Sequence, residues 1–344
     1  MRAARLYGYK EDYVVEEVPT PEPGPGEVLV RVAGSGACHS DVHIWSGDMA
    51  ALPLPPFPWV LGHENAGYVE ALGPGASGFE IGEPVAVFGG WGCGACRFCL
   101  GGQEQICDVM RWGGIGRPGG YAEYLLVPAV RHLVKLGGYD PVLAAPLTDA
   151  GLTPYRSVKM ALPRLVPGST VVAIGVGGLG HFGLQYLKHL SPAKVVAVDT
   201  LESKRALATG LGADLVLDPT SVDVAAEVRG FSGGEGAAAV IDFVGADSTL
   251  ALALASVGRQ GLVVVVGLAG GSVPFSFFAA ATEASVTTSM WGTRNELEEV
   301  LALARTGSIT AHVERHDLAE INTVFARLRR GEVDGRAVLL PSRS

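Results

Sequence analysis

The pattern of apolar and polar positions divides the chain into three segments. Up to about residue 150, short β-like runs such as EVLVRVAG, AGYVEALG and EPVAVFGG alternate with turn-forming stretches such as PEPGPGE and LGPGASG. Short apolar runs separated in this way by glycine and proline are typical of an all-β unit. We therefore predict mostly β-structure for the first segment.

In the second segment, strand-like and helix-like stretches alternate. It begins with the apolar run STVVAIG, and the later strand-like runs are AKVVAVD, DLVLD, AAAVIDFVG, GLVVVVGL and ASVTTSMWG. Helix-like stretches such as FGLQYLKHL, ESKRALATGLG, VDVAAEVRGF and DSTLALALASVG lie between them. This alternation predicts βαβ units and a parallel sheet. After about Thr293, two helical stretches precede a final strand, GRAVLLP.

Length and charge indicate a globular protein of two domains and make some partners unexpected. The 344 residues suffice for two ordinary domains, and 48% of them are hydrophobic. The net charge is −9 and the 26 Lys and Arg residues are scattered, so nucleic acid is not expected as a partner. No secretory signal and no apolar run of membrane-spanning length is visible, which predicts a cytoplasmic protein without a membrane partner. Motifs of hydrolases and NTPases are also absent from the sequence.

Four of the five cysteines lie close together, at Cys93, Cys96, Cys99 and Cys107. In a reducing compartment, such crowding favours metal ligands over disulfides. Thiolates in the order C-x2-C-x2-C-x7-C can surround one tetrahedral zinc ion, and a closed four-sulfur site is structural. An iron–sulfur cluster is the alternative, although nothing else in the chain suggests an electron-transfer partner.

A glycine-rich turn follows the first apolar strand of the second segment. GVGGLG matches the G-x-G-x-x-G pattern, opens a helix and precedes Asp199 at the end of the next strand, as a dinucleotide site requires. Asp199 would accept hydrogen bonds from the ribose and repel a 2′-phosphate, which favours NAD over NADP. Lys204 and Arg205 would soften this preference unless they are solvated helix charges. The residues predicted to approach the pyrophosphate are Gly175, Gly177, Gly178, Leu179 and Gly180.

Taken with GACHSDVH, GHENAGYVEALGPGASGFEIGEPVAV and GRAVLL, these motifs resemble the zinc-dependent alcohol dehydrogenases of the medium-chain dehydrogenase/reductase family over essentially the whole chain. The resemblance implies an α/β protein with a GroES-like, mostly-β catalytic domain, formed by residues 1–152 and completed by residues 292–344. A Rossmann domain with a doubly wound parallel sheet would occupy residues 153–291. The implied activity is hydride transfer between a small-molecule alcohol and NAD, with two zinc ions per chain, in a homotetramer or homodimer.

The resemblance also implies a catalytic zinc held by Cys38, His63 and Asp149. The last of these stands where many relatives have cysteine. Glu64 matches an acid that can transiently coordinate the metal, and it is the rival third ligand. In that alternative, Asp149 would only cap the helix that begins near AGLTPY.

Further roles are implied for residues of the same domain. Ser40 matches the hydroxyl that contacts the substrate oxygen, and His43 matches the far end of the proton relay. His39 and Arg336 match residues near the cofactor phosphates. The alternative for Ser40 is a cap on a helix formed by DVHIW.

The substrate is the least determined feature. The aromatic side chains that could line an apolar pocket, or simply belong to the core, are Trp45, Phe57, Trp59, Trp112 and Trp291, of which Trp45 and Trp291 are preferred. A pocket of this kind favours secondary or aryl alcohols. A polyol or threonine dehydrogenase shares nearly every motif, and a non-catalytic zinc-containing relative is the remaining alternative.

Overall fold

The structure is a computed structural model that describes residues 1–51, 54–109, 111–279 and 281–341. Over these residues the chain divides into two compact units. The first unit is Met1–Leu152 together with Gly292–Ser344, and the second is Thr153–Trp291.

The first unit is mostly β-structure up to Leu152, as predicted. Its elements are β1 (Arg2–Arg5), β2 (Val14–Glu17), β3 (Val28–Gly36), α1 (His39–Ser46), β4 (Glu64–Leu72), β5 (Pro84–Val87), α2 (Arg97–Leu100), β6 (Trp112–Gly113), β7 (Gly116–Arg117), β8 (Tyr124–Val127), β9 (Leu133–Lys135) and α3 (Pro141–Ala144). Turns of 3-10 helix lie at Glu104–Ile106, Val130–His132 and Ala145–Thr148. Alternate residues of β3, Val28, Val30 and Val32, pack into the core, as the period of two of a strand requires.

The second unit alternates strands and helices. Its elements are α4 (Leu152–Ala161), β10 (Thr170–Ile174), α5 (Gly180–Leu190), β11 (Lys194–Val198), α6 (Glu202–Gly210), β12 (Leu215–Leu217), α7 (Val224–Phe231), β13 (Ala237–Asp242), α8 (Asp247–Ser256), β14 (Val257–Val265) and β15 (Ser285–Thr288). A 3-10 turn at Leu162–Arg164 follows α4.

Within the described residues, these strands form a six-stranded parallel sheet in the order β12-β11-β10-β13-β14-β15. This is the doubly wound order of a Rossmann fold, and it confirms the predicted fold class. The strand order reverses between β10 and β13. Ligands of such sheets bind at this switch point, beyond the carboxyl ends of the strands. The glycine turn directly follows β10 and therefore lies at the switch point.

The C-terminal part returns to the first unit. It contains α9 (Arg294–Arg305), β16 (Val313–Asp317), a 3-10 turn at Leu318–Glu320, α10 (Ile321–Arg329) and β17 (Arg336–Leu340). Helix α9 begins with a capping box: the Thr293 hydroxyl accepts from the Glu296 N–H at 3.1 Å, and the Glu296 carboxylate accepts from the Thr293 N–H at 2.8 Å. Strand β16 was not expected from the pattern of apolar residues.

The main sheet of the first unit joins both parts of the chain. Its order is β16-β17-β3-β4-β5-β9, and β8 also pairs with β3. At one end of the sheet, Gly36 on β3 lies opposite Glu64 on β4 and Val338 on β17. Cys38 follows β3, His63 precedes β4 and Arg336 begins β17, so this register brings the three side chains together. Among the described residues, no helix is both long and apolar enough to cross a membrane.

Candidate metal and dinucleotide sites

Cys38 is held at the start of helix α1. It is the N-cap residue, in extended conformation, and its backbone N–H donates to Asp41 Oδ2 at 3.2 Å. Ser40 is therefore the second residue of the helix, and the alternative that it caps the helix is wrong. Its hydroxyl oxygen lies 3.7 Å from Cys38 Sγ, so it faces the cysteine.

Cys38, His63 and Asp149 converge within the first unit. Asp149 Oδ2 lies 3.2 Å from His63 Nε2 and 3.8 Å from Cys38 Sγ. Asp149 directly follows the 3-10 turn Ala145–Thr148, and α4 begins only at Leu152, so Asp149 does not occupy the N-cap position of that helix. The three residues and Glu64 each offer a ligand atom within 4.8 Å of the others.

The spacing of these atoms fits a zinc ion. Tetrahedral zinc, with bonds of about 2.0 to 2.3 Å to N, O and S, holds such ligand atoms about 3.3 to 3.5 Å apart. The observed separations of 3.2 and 3.8 Å lie close to this range. A thiolate, an imidazole and a carboxylate are also a donor set that zinc accepts at catalytic sites, where three protein ligands leave one position open.

Glu64 is committed to a different partner. Its Oε1 pairs with the guanidinium of Arg336, and both side chains are buried. In the described part of the chain, Glu64 Oε2 has no hydrogen-bond partner. Burial raises the pKa of Glu64 above its usual range although Arg336 opposes this change. A Cβ on Gly36 would collide with Oε2, so glycine is required opposite Glu64.

Asp41 is a residue of this site that no motif in the sequence indicated. This residue is fully buried, and its Oδ1 lies 3.3 Å from His63 Nδ1, on the ring edge away from Asp149. Burial alone would lower the pKa of His63, but Asp41 and hydrogen bonds to Asp149 and Cys38 raise it well above its usual range. A carboxylate on the far nitrogen fixes the tautomer and orientation of a metal-binding histidine. The only trace in the sequence is an acid three residues after Cys38.

The other predicted residues of α1 have separate surroundings. His43 lies one helical turn after Ser40, so both project from neighbouring positions of the same helix face. Its Nδ1 lies 3.3 Å from Asp48 Oδ2, which also accepts from the Ser46 hydroxyl. His39 is exposed at the first position of the helix.

The four clustered cysteines surround a second position that fits zinc. Each is a free thiol, and all lie within the described ranges. The Sγ atom of Cys96 lies 3.5 Å from that of Cys99 and 3.8 Å from that of Cys107. The Sγ atoms of Cys93 and Cys99 are 3.9 Å apart. A tetrahedron of sulfurs about 2.3 Å from zinc has edges of about 3.8 Å, whereas disulfide sulfurs lie about 2.05 Å apart.

Backbone N–H groups support the charge of this cluster. Those of Ala95 and Cys96 donate to Cys93 Sγ at 3.4 and 3.3 Å, and that of Cys93 donates to Cys107 Sγ at 3.4 Å. The hydrogen bonds from Ala95 and Cys96 lower the pKa of the Cys93 thiol to about 6. Thiolates are the form that binds metal, so Cys93 in particular is prepared for a cation.

The glycines of the turn after β10 have three different functions. Gly175 has a φ of 86°, and a Cβ there would lie 2.6 Å from Val244 Cγ2. A Cβ on Gly180 would collide with the carbonyl oxygen of Gly175, so the helix can pack closely only with glycine. A Cβ on Gly177 would meet no described atom within 4 Å. Gly177 therefore exposes its backbone at the start of α5, as an approaching pyrophosphate requires.

Asp199 lies beside this turn and closes it. Its Oδ2 accepts from the Val176 N–H at 2.8 Å, and its Oδ1 accepts from the Leu201 N–H at 2.9 Å. The interpretation of Arg205 as a solvated helix charge is wrong. Its guanidinium pairs with Asp218 at 3.1 Å and donates to the carbonyl oxygen of Asp199 at 3.0 Å.

The candidate pocket aromatics make packing contacts. Trp45 Nε1 donates to the Glu11 carbonyl at 2.6 Å, and the Arg329 guanidinium lies 4.2 Å above its ring. Trp291 is buried and has a φ of 49°. Trp59 and Trp112 are buried, and Phe57 packs edge-on against Tyr9. Their role in substrate binding stays a prediction.

Two family descriptions match the chain. Residues 24–138 match the alcohol dehydrogenase GroES-like domain, and residues 178–306 match the zinc-binding dehydrogenase family. An NAD-dependent alcohol dehydrogenase from Sulfurisphaera tokodaii is 36% identical over 99% of this chain and 100% of that protein. A D-arabinose 1-dehydrogenase (NADP(+)) from Saccharolobus solfataricus is 35% identical over 99% of this chain and 97% of that protein.

Solved structures give the same result. The alcohol dehydrogenase from Aeropyrum pernix has a TM-score of 0.93 and 39% sequence identity, covering 99% of this chain and 100% of that one. The acetophenone reductase from Geotrichum candidum, in complex with NAD, has a TM-score of 0.86 and 35% identity, covering 98% and 96%.

Proposed function

Because the chain belongs to the zinc-dependent alcohol dehydrogenases of the medium-chain dehydrogenase/reductase family, we propose that zinc held by Cys38, His63 and Asp149 is its catalytic centre. The enzyme is an NAD-dependent alcohol dehydrogenase. The observation that carries the proposal is the convergence of Cys38 Sγ, His63 Nε2 and Asp149 Oδ2 on one point.

The residues of this centre would determine its net charge when zinc is bound. Zinc, when bound, acts as a Lewis acid that lowers the pKa of an alcohol, and NAD is the hydride acceptor. Cys38 and Asp149 contribute two negative charges, which balance Zn²⁺. Asp41 Oδ1, 3.3 Å from His63 Nδ1, would hold the proton on that nitrogen and so leave Nε2 free as a donor atom for the metal. Three protein ligands leave one tetrahedral position for the substrate.

Ser40 and His43 form the exit for the alcohol proton in this proposal. The Ser40 hydroxyl lies 3.7 Å from Cys38 Sγ and so borders the metal position. His43, one turn further along α1, is partly exposed and pairs with Asp48, so it can exchange protons with solvent. Ser40 would accept the substrate proton while passing its own proton through the ribose of the coenzyme to His43, which would release a proton to solvent.

We expect His43→Gln to slow alcohol oxidation roughly tenfold at pH 6 and by less than about twofold at pH 9. At low pH, proton release depends on the relay base, whereas at high pH hydroxide takes the proton directly. The rate is measured as NADH formation across this pH range. His189→Gln, a change at an exposed histidine of the second unit, is the matched control. A pH–rate profile identical to that of the wild type would place His43 outside the relay.

A preference for NAD over NADP is proposed because Asp199 follows the glycine turn. Its carboxylate lies at the end of β11, where it would receive ribose hydroxyls and repel a 2′-phosphate. The relative from Saccharolobus solfataricus that is described as NADP(+)-dependent makes this preference a point to test in the present chain.

Asp199→Gly is expected to weaken NAD binding roughly 10- to 100-fold while NADP binding changes little or improves. The variant loses the ribose acceptors and also the repulsion of the 2′-phosphate. Dissociation constants for both coenzymes are measured by calorimetry, and Glu235→Gln, an exposed carboxylate of the same unit, is the control. A wild-type protein that already prefers NADP would contradict the assignment.

For the substrate, we propose secondary or aryl alcohols and the matching ketones or aldehydes. The support is the 35% identity to an acetophenone reductase. The equal identity to a D-arabinose dehydrogenase makes polyols the second candidate. A panel of 1-phenylethanol, 2-butanol, ethanol, L-threonine and D-arabinose with NAD and with NADP decides between them. A higher kcat/KM for D-arabinose or L-threonine than for the aryl alcohol would contradict the proposal.

The four-cysteine loop is proposed to hold a second, structural zinc, so that the chain binds two zinc ions. The support is the near-tetrahedral set of sulfur separations and the backbone N–H groups directed at Cys93. Four sulfurs leave no open position, so this ion would have no catalytic task. Because the thiols must be reduced to bind zinc, we also propose a reducing, cytoplasmic location.

A homo-oligomer is proposed from an apolar surface of the second unit, the β15 patch. Strand β15 is an edge strand, and unpaired edges of this kind pair readily with another strand. The side chains of Phe277 and Phe278 are 87% and 91% exposed. Large apolar side chains exposed together are typical of surfaces that bind another protein. The β15 patch consists of Phe275, Phe277, Phe278, Val286 and Met290.

The double substitution Phe277→Glu with Phe278→Glu is expected to shift the protein to a smaller assembly. Two carboxylates at positions that the proposed interface would bury would oppose association of two copies through the β15 patch. Light scattering coupled to size-exclusion chromatography measures the mass, and Ile81→Glu, an exposed apolar residue of a turn in the first unit, is the control. A monomeric wild type, or an assembly that both variants leave intact, would contradict the proposal.

A further inference from the structure

Tyr121 is a fully buried tyrosine whose hydroxyl points towards the proposed catalytic centre. It precedes β8 and donates to Asp41 Oδ2 at 2.7 Å, while the Gly36 carbonyl oxygen lies 3.1 Å away. A hydroxyl has one proton, and the shorter contact is to the charged acceptor, which forms the stronger hydrogen bond. Tyr121 therefore donates to Oδ2 of Asp41, while Oδ1 of the same carboxylate faces His63.

The backbone ties Tyr121 to the segment that carries His63. The Tyr121 N–H donates to the Leu61 carbonyl at 3.0 Å, and the N–H of Gly120 donates to the Gly62 carbonyl at 2.8 Å. The Ala4 N–H, on β1, donates in turn to the Tyr121 carbonyl at 2.8 Å. Tyr121 and His63 are thus parts of one hydrogen-bonded layer, and the tyrosine cannot move without the histidine segment.

The contacts form a continuous line of four side chains. Tyr121 donates to Asp41 Oδ2, Asp41 Oδ1 lies 3.3 Å from His63 Nδ1, and His63 Nε2 lies 3.2 Å from Asp149 Oδ2. Asp41 Oδ2 accepts from both the Tyr121 hydroxyl and the Cys38 N–H, and these two hydrogen bonds restrict rotation of the carboxylate, so that Oδ1 is held 3.3 Å from His63 Nδ1. The orientation of His63 consequently depends on the Tyr121 hydroxyl, which is separated from the metal position by Asp41 and His63.

We propose that Tyr121 is a positioning residue of the catalytic zinc: by holding Asp41, it fixes the tautomer and the ring orientation of His63. This inference rests on the proposed function, because it presumes that His63 binds zinc. The hydrogen bond of the Tyr121 hydroxyl towards the proposed centre is the one to Asp41, so we expect Tyr121 to act through Asp41. Its loss should therefore weaken metal retention without removing a ligand.

A neighbouring tyrosine shows that the aromatic cluster does not itself require hydroxyl groups. Tyr13 packs edge-on against Tyr121, with ring centroids 6.3 Å apart, and both contact Phe325. Among the described residues, the Tyr13 hydroxyl has no hydrogen-bond partner. The Tyr121 hydroxyl, in the same cluster, is directed at a carboxylate. Burial and the Asp41 charge raise the pKa of Tyr121 well above its usual range, so it remains a donor near neutral pH.

The test compares Tyr121→Phe with Tyr13→Phe. Both remove one hydroxyl from the same cluster and keep the ring. Zinc release to a chromogenic chelator is followed in each protein, and Cys38→Ser, which lacks the proposed site, identifies the phase that belongs to the catalytic zinc. We expect Tyr121→Phe to accelerate that phase roughly tenfold or more and to leave release from the four-cysteine loop unchanged. Tyr13→Phe should change neither phase.

Cobalt supplies a readout that a purely structural role would not alter. With Co²⁺ at the catalytic centre, a reoriented imidazole changes the visible d–d bands, so Tyr121→Phe should shift them and Tyr13→Phe should not. If Tyr121→Phe lowers only the melting temperature, with wild-type zinc release and wild-type cobalt bands, Tyr121 is a structural residue and the inference is wrong.

A double-mutant cycle tests whether the effect passes through Asp41. Asp41→Asn alone should also accelerate zinc release, and adding Tyr121→Phe to it should produce no further acceleration. Additive effects would overturn the inference. A wild-type protein that retains zinc only in the four-cysteine loop would overturn the proposed function and this inference together. Two zinc ions with an unchanged Tyr121→Phe variant would overturn this inference alone.

Discussion

Asp149→Ala is expected to reduce the zinc content from two ions per chain to one and to lower turnover roughly a thousandfold or more. Asp149 Oδ2 lies close to both of the other proposed ligands, 3.2 Å from His63 Nε2 and 3.8 Å from Cys38 Sγ. Without it, two protein ligands remain, which is fewer than the three that catalytic zinc sites normally have. Metal analysis and NADH formation are measured on the same preparation.

Two further variants of this centre make the result specific. Asp149→Cys restores a zinc ligand, and it should keep both ions and part of the activity. Glu64→Gln keeps the size of Glu64 and a partner for the buried Arg336, so it should retain both ions and lose only part of the rate. If Asp149 does not bind the metal, Asp149→Ala would leave both ions in place. That outcome would make Glu64 the third ligand.

Cys96→Ser is expected to remove the other zinc ion and to lower the melting temperature by about 10 °C or more. Cys96 Sγ lies between those of Cys99 and Cys107, at 3.5 and 3.8 Å, so its loss opens the tetrahedron. The loop of the four cysteines has little regular structure, and the metal offsets the entropy of ordering it. Calorimetric melting curves and metal analysis measure the two effects.

The matched variant for this experiment is Cys38→Ser. It should remove the catalytic ion and abolish turnover with a much smaller change in melting temperature. Cys96→Ser should show the opposite pattern, with turnover retained at low temperature. A Cys96→Ser protein that keeps two zinc ions and melts as the wild type does would show that the loop is not a metal site.

Much of the fold could be predicted because its strands are strongly apolar. Strand β10, TVVAI, is buried at every position, and its neighbours in the parallel sheet are nearly as apolar. Strand β16, VERHD, was missed for the opposite reason. Its residues are largely polar and half-exposed, and it is a strand because it pairs in parallel with β17, which no local pattern reveals.

In the candidate site, too, local sequence features could be predicted and contacts between distant segments could not. Cysteine spacing and the glycine turn are local features, and both predicted groups of residues come together in the structure. Asp41 and Tyr121 could not be predicted, because their importance depends on contacts between distant segments. Asp41 lies in α1 and Tyr121 before β8, 80 positions apart, and only the folded sheet brings both beside His63. The pairing of Glu64 with Arg336, 272 positions apart, is of the same kind.

The most direct test of the account measures alcohol-dependent NADH formation while one zinc ion per chain is withdrawn by a chelator and then restored. Wild-type protein is used, and its metal content is determined at each step. We expect turnover to fall in proportion to the zinc lost from the Cys38–His63–Asp149 centre, to vanish while the four-cysteine loop still holds its ion, and to return when zinc is added. Full turnover in protein that holds zinc only in the four-cysteine loop would contradict the account.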